Sequence, residues 1–171
     1  MGRRNGQERL FNRLSELGIA LTPTESYPPH STVEEGKALR GPMAGTFTKN
    51  LLLKDKKGRL FIVVAHEDQA IDLKALHERI GASGRVGFAS PERMRSVLGI
   101  DPGALTPFAI INNSDRLVTV VIDAALMGAE QLNFHPMVQT QSVGLSPADL
   151  SAFVKSCGRI PHVVNVAAEG G

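Results

Sequence analysis

Tryptophan is absent from the 171 residues, tyrosine and cysteine each occur once, and aromatic residues make up only 5% of the chain. A lone cysteine, Cys157, cannot close an internal disulfide or build a multi-cysteine zinc site, and redox chemistry is disfavoured with them. No run approaches the roughly 20 consecutive apolar residues needed to cross a bilayer. The hydrophobic fraction of 42% and charged fraction of 21% are those of an ordinary soluble protein. The start, Met1-Gly2-Arg3-Arg4-Asn5-Gly6, is basic but leads into an amphipathic helix pattern and not an apolar signal core, and Gly6 stands where a myristoylation signal has Ser or Thr. The expected address is cytoplasmic, with no membrane partner. Charge bias is weak as well: a net +2 permits a nucleic-acid partner without demanding one. The length suits a single domain over residues 1–171 that buries one core without disulfides or metal.

Helix ends are the clearest features present. Leu10, Phe11, Leu14 and Leu17 fall at helical spacing before Gly18, and Leu73, Leu76 and Ile80 before Gly81. Ser90-Pro91-Glu92 is an N-cap with proline in the first turn, followed by the stripe Met94, Val97, Leu98 and then Gly99. Ser146-Pro147-Ala148-Asp149 repeats the device, with Leu150, Phe153, Val154 and Cys157 on one face before Gly158. A weaker helix is expected at Ser31, where Glu34 completes a capping box. Strand-like runs cover Gly45 to Lys54, Leu60 to His66, Arg85 to Ala89, Phe108 to Asn112, Leu117 to Asp123 and Val138 to Val143. Two pairs read as hairpins, turning at Asp55-Lys56-Lys57-Gly58 and at Asn113-Ser114-Asp115-Arg116. Strands and helices do not alternate regularly, so the expected class is α+β and not doubly wound.

Three places carry chemistry. In the strand Thr46 to Lys54, alternation puts Phe47, Lys49, Leu51 and Leu53 on one face, where Lys49 is out of place. Such a lysine either snorkels to solvent or lines a cavity for a negative or carbonyl group, and pattern alone favours the first. The run Gly99-Ile100-Asp101-Pro102-Gly103-Ala104-Leu105-Thr106-Pro107 has the glycines and prolines of a sharp turn whose amides approach a ligand, or of a plain connector. His135 precedes Pro136, which holds it extended, and a histidine there can move a proton near neutral pH. His77 reads as packing, and His30, His66 and His162 fall at turns or strand ends. No two histidines have the spacing of a helical zinc pair, so a metal is not expected. Cys157 belongs to an apolar stripe and reads as core, not nucleophile. Basic residues gather at Lys54, Lys56, Lys57 and Arg59, with Arg85, Arg93 and Arg95 further on. That is ordinarily a solvated surface, yet a positive rim beside a small pocket also suits RNA phosphates.

The segment Gly45-Thr46-Phe47-Thr48-Lys49-Asn50-Leu51-Leu52-Leu53-Lys54-Asp55, the Gly103-x-x-x-Pro107 loop and Asn133-Phe134-His135-Pro136 together resemble the YbaK/ProX aminoacyl-tRNA deacylases, relatives of the editing domain inserted in many bacterial prolyl-tRNA synthetases. The resemblance runs in order over nearly the whole chain, which closely resembles the freestanding, alanyl-type ProX branch. It implies an α+β fold: one domain with a curved, mixed, mostly antiparallel sheet, a partial barrel, and flanking helices around a small aminoacyl pocket. By motif position it implies Lys49, the essential lysine, Gly103 and His135 as catalytic residues, and Asn50, Ala104, Leu105, Thr106 and Pro107 as substrate contacts. Lys54 would lie near the RNA backbone, and Arg85 is added as an RNA contact that no motif anchors. The implied partner is the aminoacylated acceptor stem of a tRNA, with association to prolyl-tRNA synthetase left open, and no cofactor or metal.

An aminoacyl ester is already activated, so positioned water and a stabilised oxyanion suffice for hydrolysis and no covalent nucleophile is needed. The expected activity is removal of alanine from proline tRNA in trans. The alternatives are cysteine or another small amino acid as the group removed, or a module that binds aminoacyl-tRNA without hydrolysing it.

Overall fold

The computed structural model describes residues 2–22, 25–26, 45–113, 118–138 and 140–167. The strongest helix signals form as read. Helix α1 spans Gly2–Glu16. Helix α2, Leu73–Ile80, starts at Asp72, whose side chain accepts from the Lys74 amide, and stops at Gly81 with φ 73°. Helix α3, Pro91–Leu98, is capped by the Ser90 side chain on the Arg93 amide and ends at Gly99 with φ 69°. Helix α4, Pro147–Ser156, is capped by Ser146 on the Asp149 amide. The helix expected at Ser31, and His30, lie outside the described residues.

The described strands are β1 (Glu25–Ser26), β2 (Thr46–Lys54), β3 (Leu60–His66), β4 (Gly87–Phe88), β5 (Val118–Asp123), β6 (Leu132–Phe134), β7 (Gln141–Leu145) and β8 (His162–Val164). They form one mixed sheet in the order β1-β7-β6-β2-β3-β5-β8, with β4 added beside β2. The pairs β1/β7, β6/β7, β2/β3 and β2/β4 are antiparallel, whereas β2/β6, β3/β5 and β5/β8 are parallel. The path is open, since the end strands β1 and β8 do not pair with each other.

The run Phe108 to Asn112 is a correction. It is not a strand but part of a 3-10 helix, Pro107–Asn112, so the second hairpin does not form; of its expected turn, Asn113 to Arg116, Asn113 caps this helix and Ser114 to Arg116 lie outside the described residues. Pro107 opens this helix and the Thr106 hydroxyl accepts from the Phe108 amide. Phe108, Ala109 and Ile110 are all buried, and a short run buried on every side does not reveal its period. Two strands differ in extent. The run from Arg85 contracts to Gly87–Phe88, and the run from Val138 begins only at Gln141 and continues to Leu145. The short strands β1, β6 and β8 carried too few residues to register as alternation.

The sheet separates two cores. Even-numbered Leu52, Leu60, Ile62, Val64, Val118, Val120 and Ile122 face the larger one, with α1, α3, α4 and the 3-10 helix at Pro107 packed over them. Odd-numbered Leu53, Phe61, Val63, Ala65 and Val121 face the smaller one, closed by Leu76 and Ile80 of α2 and by Val166. The first hairpin pairs Leu51 with Val63 and Leu53 with Phe61. A slip of one residue would exchange the two faces, so burial on both sides pins this register.

Candidate active site

Strand β2 has two edges. Strand β3 occupies one from Thr48 to Lys54. The other is shared: β6 pairs at Thr46 and Phe47, β4 pairs at Leu53 and Lys54, and the Ala89 amide donates to the Leu52 carbonyl at 2.9 Å. Between them Thr48 to Leu51 have no strand alongside among the described residues, a notch on the order of 13 Å long at roughly 3.3 Å per residue. Lys49 and Asn50 are its central residues. Successive strand side chains leave on opposite faces, so a ligand touching both must straddle the open edge between β6 and β4.

Lys49 leaves on the face of the smaller core, is half-buried, and its Nζ donates to the Gln69 carbonyl. A carbonyl satisfies a hydrogen bond without neutralising the charge, so the ammonium keeps its attraction for an anion. Asn50 leaves on the other face. Among the described residues its Oδ1 is the one buried side-chain polar atom with no hydrogen-bond partner. An acceptor left unpaired in this way costs about 1–3 kcal/mol and calls for a ligand to account for it.

His135 follows β6 directly. Continuing the Thr46–Leu132 and Phe47–Asn133 register by two residues brings His135 level with Lys49, and the Thr48 hydroxyl donates to the Asn133 carbonyl at 2.9 Å. The His135 Nδ1–H donates to the Gln141 carbonyl at 2.8 Å, which in the neutral ring leaves the lone pair on Nε2. The turn behind it is strained. Met137 has φ 68° without being glycine, and it is held there by full burial of its side chain and by Gln7, whose Nε2 donates to the Pro136 carbonyl at 2.8 Å.

Gly103 to Pro107 enters from the larger core's side. Phe108, next to Pro107, stacks edge-on against Phe134, next to His135, with ring centres 5.5 Å apart. Gly103 is exposed, while Ala104, Leu105, Thr106 and Pro107 are buried. The Ala104 amide donates to Asp101 and the Leu105 amide to Pro102, so within the loop the amides of Gly103 and Thr106 are the ones not committed to these turns among the described hydrogen bonds. Contact of Ala104 or Leu105 with a ligand would therefore not come through their amides.

Lys54 and Arg85 are exposed at the far end of the notch, where Lys54 pairs with Gly87 two residues beyond Arg85. Two members of the expected basic cluster are otherwise engaged. Arg59 donates through Nε to Asp55 at 2.9 Å and through its terminal nitrogen to Gly81 and Ser83, while Arg95 pairs with Asp101 at 3.2 Å. The buried Asp55 was read only as a turn residue; its Asp-x-x-Gly position is the signal that it caps the turn with its own side chain. The open edge itself has no sequence signal, because it depends on where β4 and β6 stop. Among the described residues no three of His, Cys, Asp and Glu gather as a metal-ligand set, and no helix is long and apolar enough to cross a membrane.

The family model of the aminoacyl-tRNA editing domain matches residues 27–153. The chain belongs to the aminoacyl-tRNA editing domain family. It is 36% identical over 155 residues to the prolyl-tRNA editing protein ProX of Acetoanaerobium sticklandii, covering 90% of this chain and 93% of that one. It is 37% identical over 161 residues to the prolyl-tRNA synthetase associated domain-containing protein 1 of Bos taurus, covering 91% and 92%. A solved structure described as a candidate trans-editing enzyme for prolyl tRNA synthetase superposes with a TM-score of 0.64 at 18% identity, covering 94% of this chain and 96% of that one, which establishes a shared fold. As a member of the editing family the chain is an aminoacyl-tRNA deacylase, a hydrolase of the ester that joins amino acid to tRNA.

Proposed function

We propose that this editing domain acts in trans to remove alanine from proline tRNA in the cytoplasm, with the open edge of β2 as its active site. The observation that carries the reading is the pairing of a charged Lys49 with an unpartnered Asn50 acceptor on opposite faces of that edge. An aminoacyl ester at a tRNA 3′ end offers complements to both: phosphate and carbonyl oxygens for an ammonium, and an α-ammonium or ribose hydroxyl for an amide oxygen.

In this reading Lys49 fixes the terminal phosphate or ester, and Asn50 accepts from the substrate. Amides of the loop at Gly103 and Thr106 hold the carbonyl oxygen as it becomes an oxyanion. Water adds to the carbonyl carbon, the bond to the ribose oxygen breaks, and that oxygen takes the proton, releasing amino acid and tRNA with a free hydroxyl. The terminal ribose hydroxyl or an ordered water serves as base, and His135, its tautomer set by the Gln141 carbonyl, shapes the pocket. Selection for alanine rests on steric exclusion of the proline ring, because a pocket that merely offers room for one methylene more or less discriminates by only about 1–3 kcal/mol. Lys54 and Arg85 contact acceptor-stem phosphates, and prolyl-tRNA synthetase is the enzyme whose errors are corrected, with association between the two left to experiment.

The test is release of labelled amino acid from alanyl-, cysteinyl- and prolyl-charged proline tRNA. Loss of alanine alone is expected, slowed about 10²- to 10³-fold by Lys49→Ala. Faster loss of cysteine would move the assignment to that substrate. Binding of tRNA with no hydrolysis of any ester would replace the enzyme by a binding module.

A further inference from the structure

Phe88 is the most exposed aromatic ring among the described residues, at 64%, whereas Phe61, Phe108, Phe134 and Phe153 are 3% exposed or less. Its position is fixed. Phe88 pairs with Leu53 of β2, and the next residue, Ala89, donates to the Leu52 carbonyl at 2.9 Å, so the ring stands on sheet backbone and not on a loose loop. A single exposed apolar side chain is unremarkable by itself, but the short strand that carries this one has exposed basic residues along it.

Lys54 pairs with Gly87 directly beside it, Arg85 is exposed two residues earlier, and the Lys56 amide donates to Ser83 at 3.1 Å. The Lys56 side chain crosses Gly84, where a Cβ would meet its Cδ at 2.6 Å, so only glycine lets the lysine lie along this rim. Phe88 leaves on the face of its partner Leu53 and Lys54 on the opposite face, so a strand passing this edge can lay a base on the ring and its phosphates against the charges, the combination that binds single-stranded nucleic acid.

The ring also stands at a useful distance. Leu53, its partner, is four residues along β2 from Lys49, on the order of 13 Å, or the length of a few stacked nucleotides at roughly 3.4 Å each. Phe88 closes the same notch whose other end is His135.

We propose that Phe88 is a stacking platform for an unpaired base of the tRNA 3′ strand, with Lys54, Lys56 and Arg85 on the flanking phosphates; this rests on the editing reading of the notch. The platform reads no sequence, since every base has a face to stack. It sets how far the strand enters before the ester reaches Lys49.

The chain has no tryptophan, so Phe88→Trp creates a sole fluorescent reporter at the platform. Titration with uncharged proline tRNA should quench its emission saturably, and the same tRNA lacking its unpaired 3′ nucleotides should not. Phe88→Ala should weaken tRNA binding about tenfold, Phe88→Tyr should restore it, and circular dichroism should match wild type for each. Tryptophan emission that is unchanged while filter binding records the complex, or wild-type affinity in Phe88→Ala, overturns the proposal. Wild-type affinity in Phe88→Ala together with altered self-association would assign the ring to a contact between copies of this chain. If wild type neither binds nor hydrolyses charged tRNA, the editing reading fails and the platform falls with it.

Discussion

Asp55 and Asn50 lie five residues apart, and each withdraws a polar oxygen from water, but they are treated in opposite ways. Asp55 is 4% exposed and accepts four hydrogen bonds: from the amides of Lys57 at 3.0 Å, Arg59 at 2.9 Å and Ser83 at 2.9 Å, and from Arg59 Nε at 2.9 Å. These bonds weld the β2–β3 turn to the loop before β4. Burial alone would raise the Asp55 carboxyl, but the donated bonds outweigh it and hold the group below its ordinary value. Asn50 Oδ1 accepts nothing among the described residues. A polar group satisfied on every side is part of the scaffold, whereas one left unsatisfied is a cost that the fold carries for something it binds.

The largest effect expected from breaking this contrast is at Asp55. Asp55→Ala leaves three amides without their acceptor and should cost about 3 kcal/mol in urea denaturation. Acid should do the same more gently. Because the folded carboxyl is depressed, its contribution is present at neutral pH and is lost as pH falls below the ordinary value of 3.8 and through the folded one. Asp55→Asn should therefore have a flatter stability profile than wild type over that acid range.

Asn50→Ala should behave in the opposite sense, lowering the deacylation rate about tenfold or more while leaving stability unchanged or raising it by about 1 kcal/mol. A loss of stability as large as at Asp55 would erase the distinction between the two residues. Lys54→Ala should act more weakly still, reducing the slope of log affinity for tRNA against log salt by about 1 and leaving the order of preference among charged tRNAs intact. The smallest effect belongs to Cys157. Burial raises its thiol above the usual value despite the bond from Ser156 and the nearby Arg13 and Arg159, so alkylation should be slow at neutral pH, and Cys157→Ala should hydrolyse the ester at the wild-type rate.

Three helices were legible because their ends are chemical: Ser90 and Ser146 offer oxygens to first-turn amides, and Gly81 and Gly99 take the left-handed conformation, while the Asp72 cap of α2 was found only in the structure. The hairpin β2–β3 was legible because its turn is short and its faces alternate. The segment after Pro107 was not, since Phe108, Ala109 and Ile110 are buried whichever way they wind. In the candidate site, Lys49 stood out by being a charge on an apolar face, and the family motifs pointed to Asn50, His135 and the loop at Gly103. The partner of Lys49 did not stand out, because a backbone carbonyl such as that of Gln69 has no signature in residue type.

Local order therefore came from the sequence alone, through caps, turns and a hydrophobic period that act within a few residues. The open edge of β2, the strained turn that presents His135, and the grouping of Phe88 with Lys54, Lys56 and Arg85 were decided by tertiary structure. Each depends on strands far apart in the chain meeting and then stopping, and no short stretch of sequence encodes where a neighbour ends.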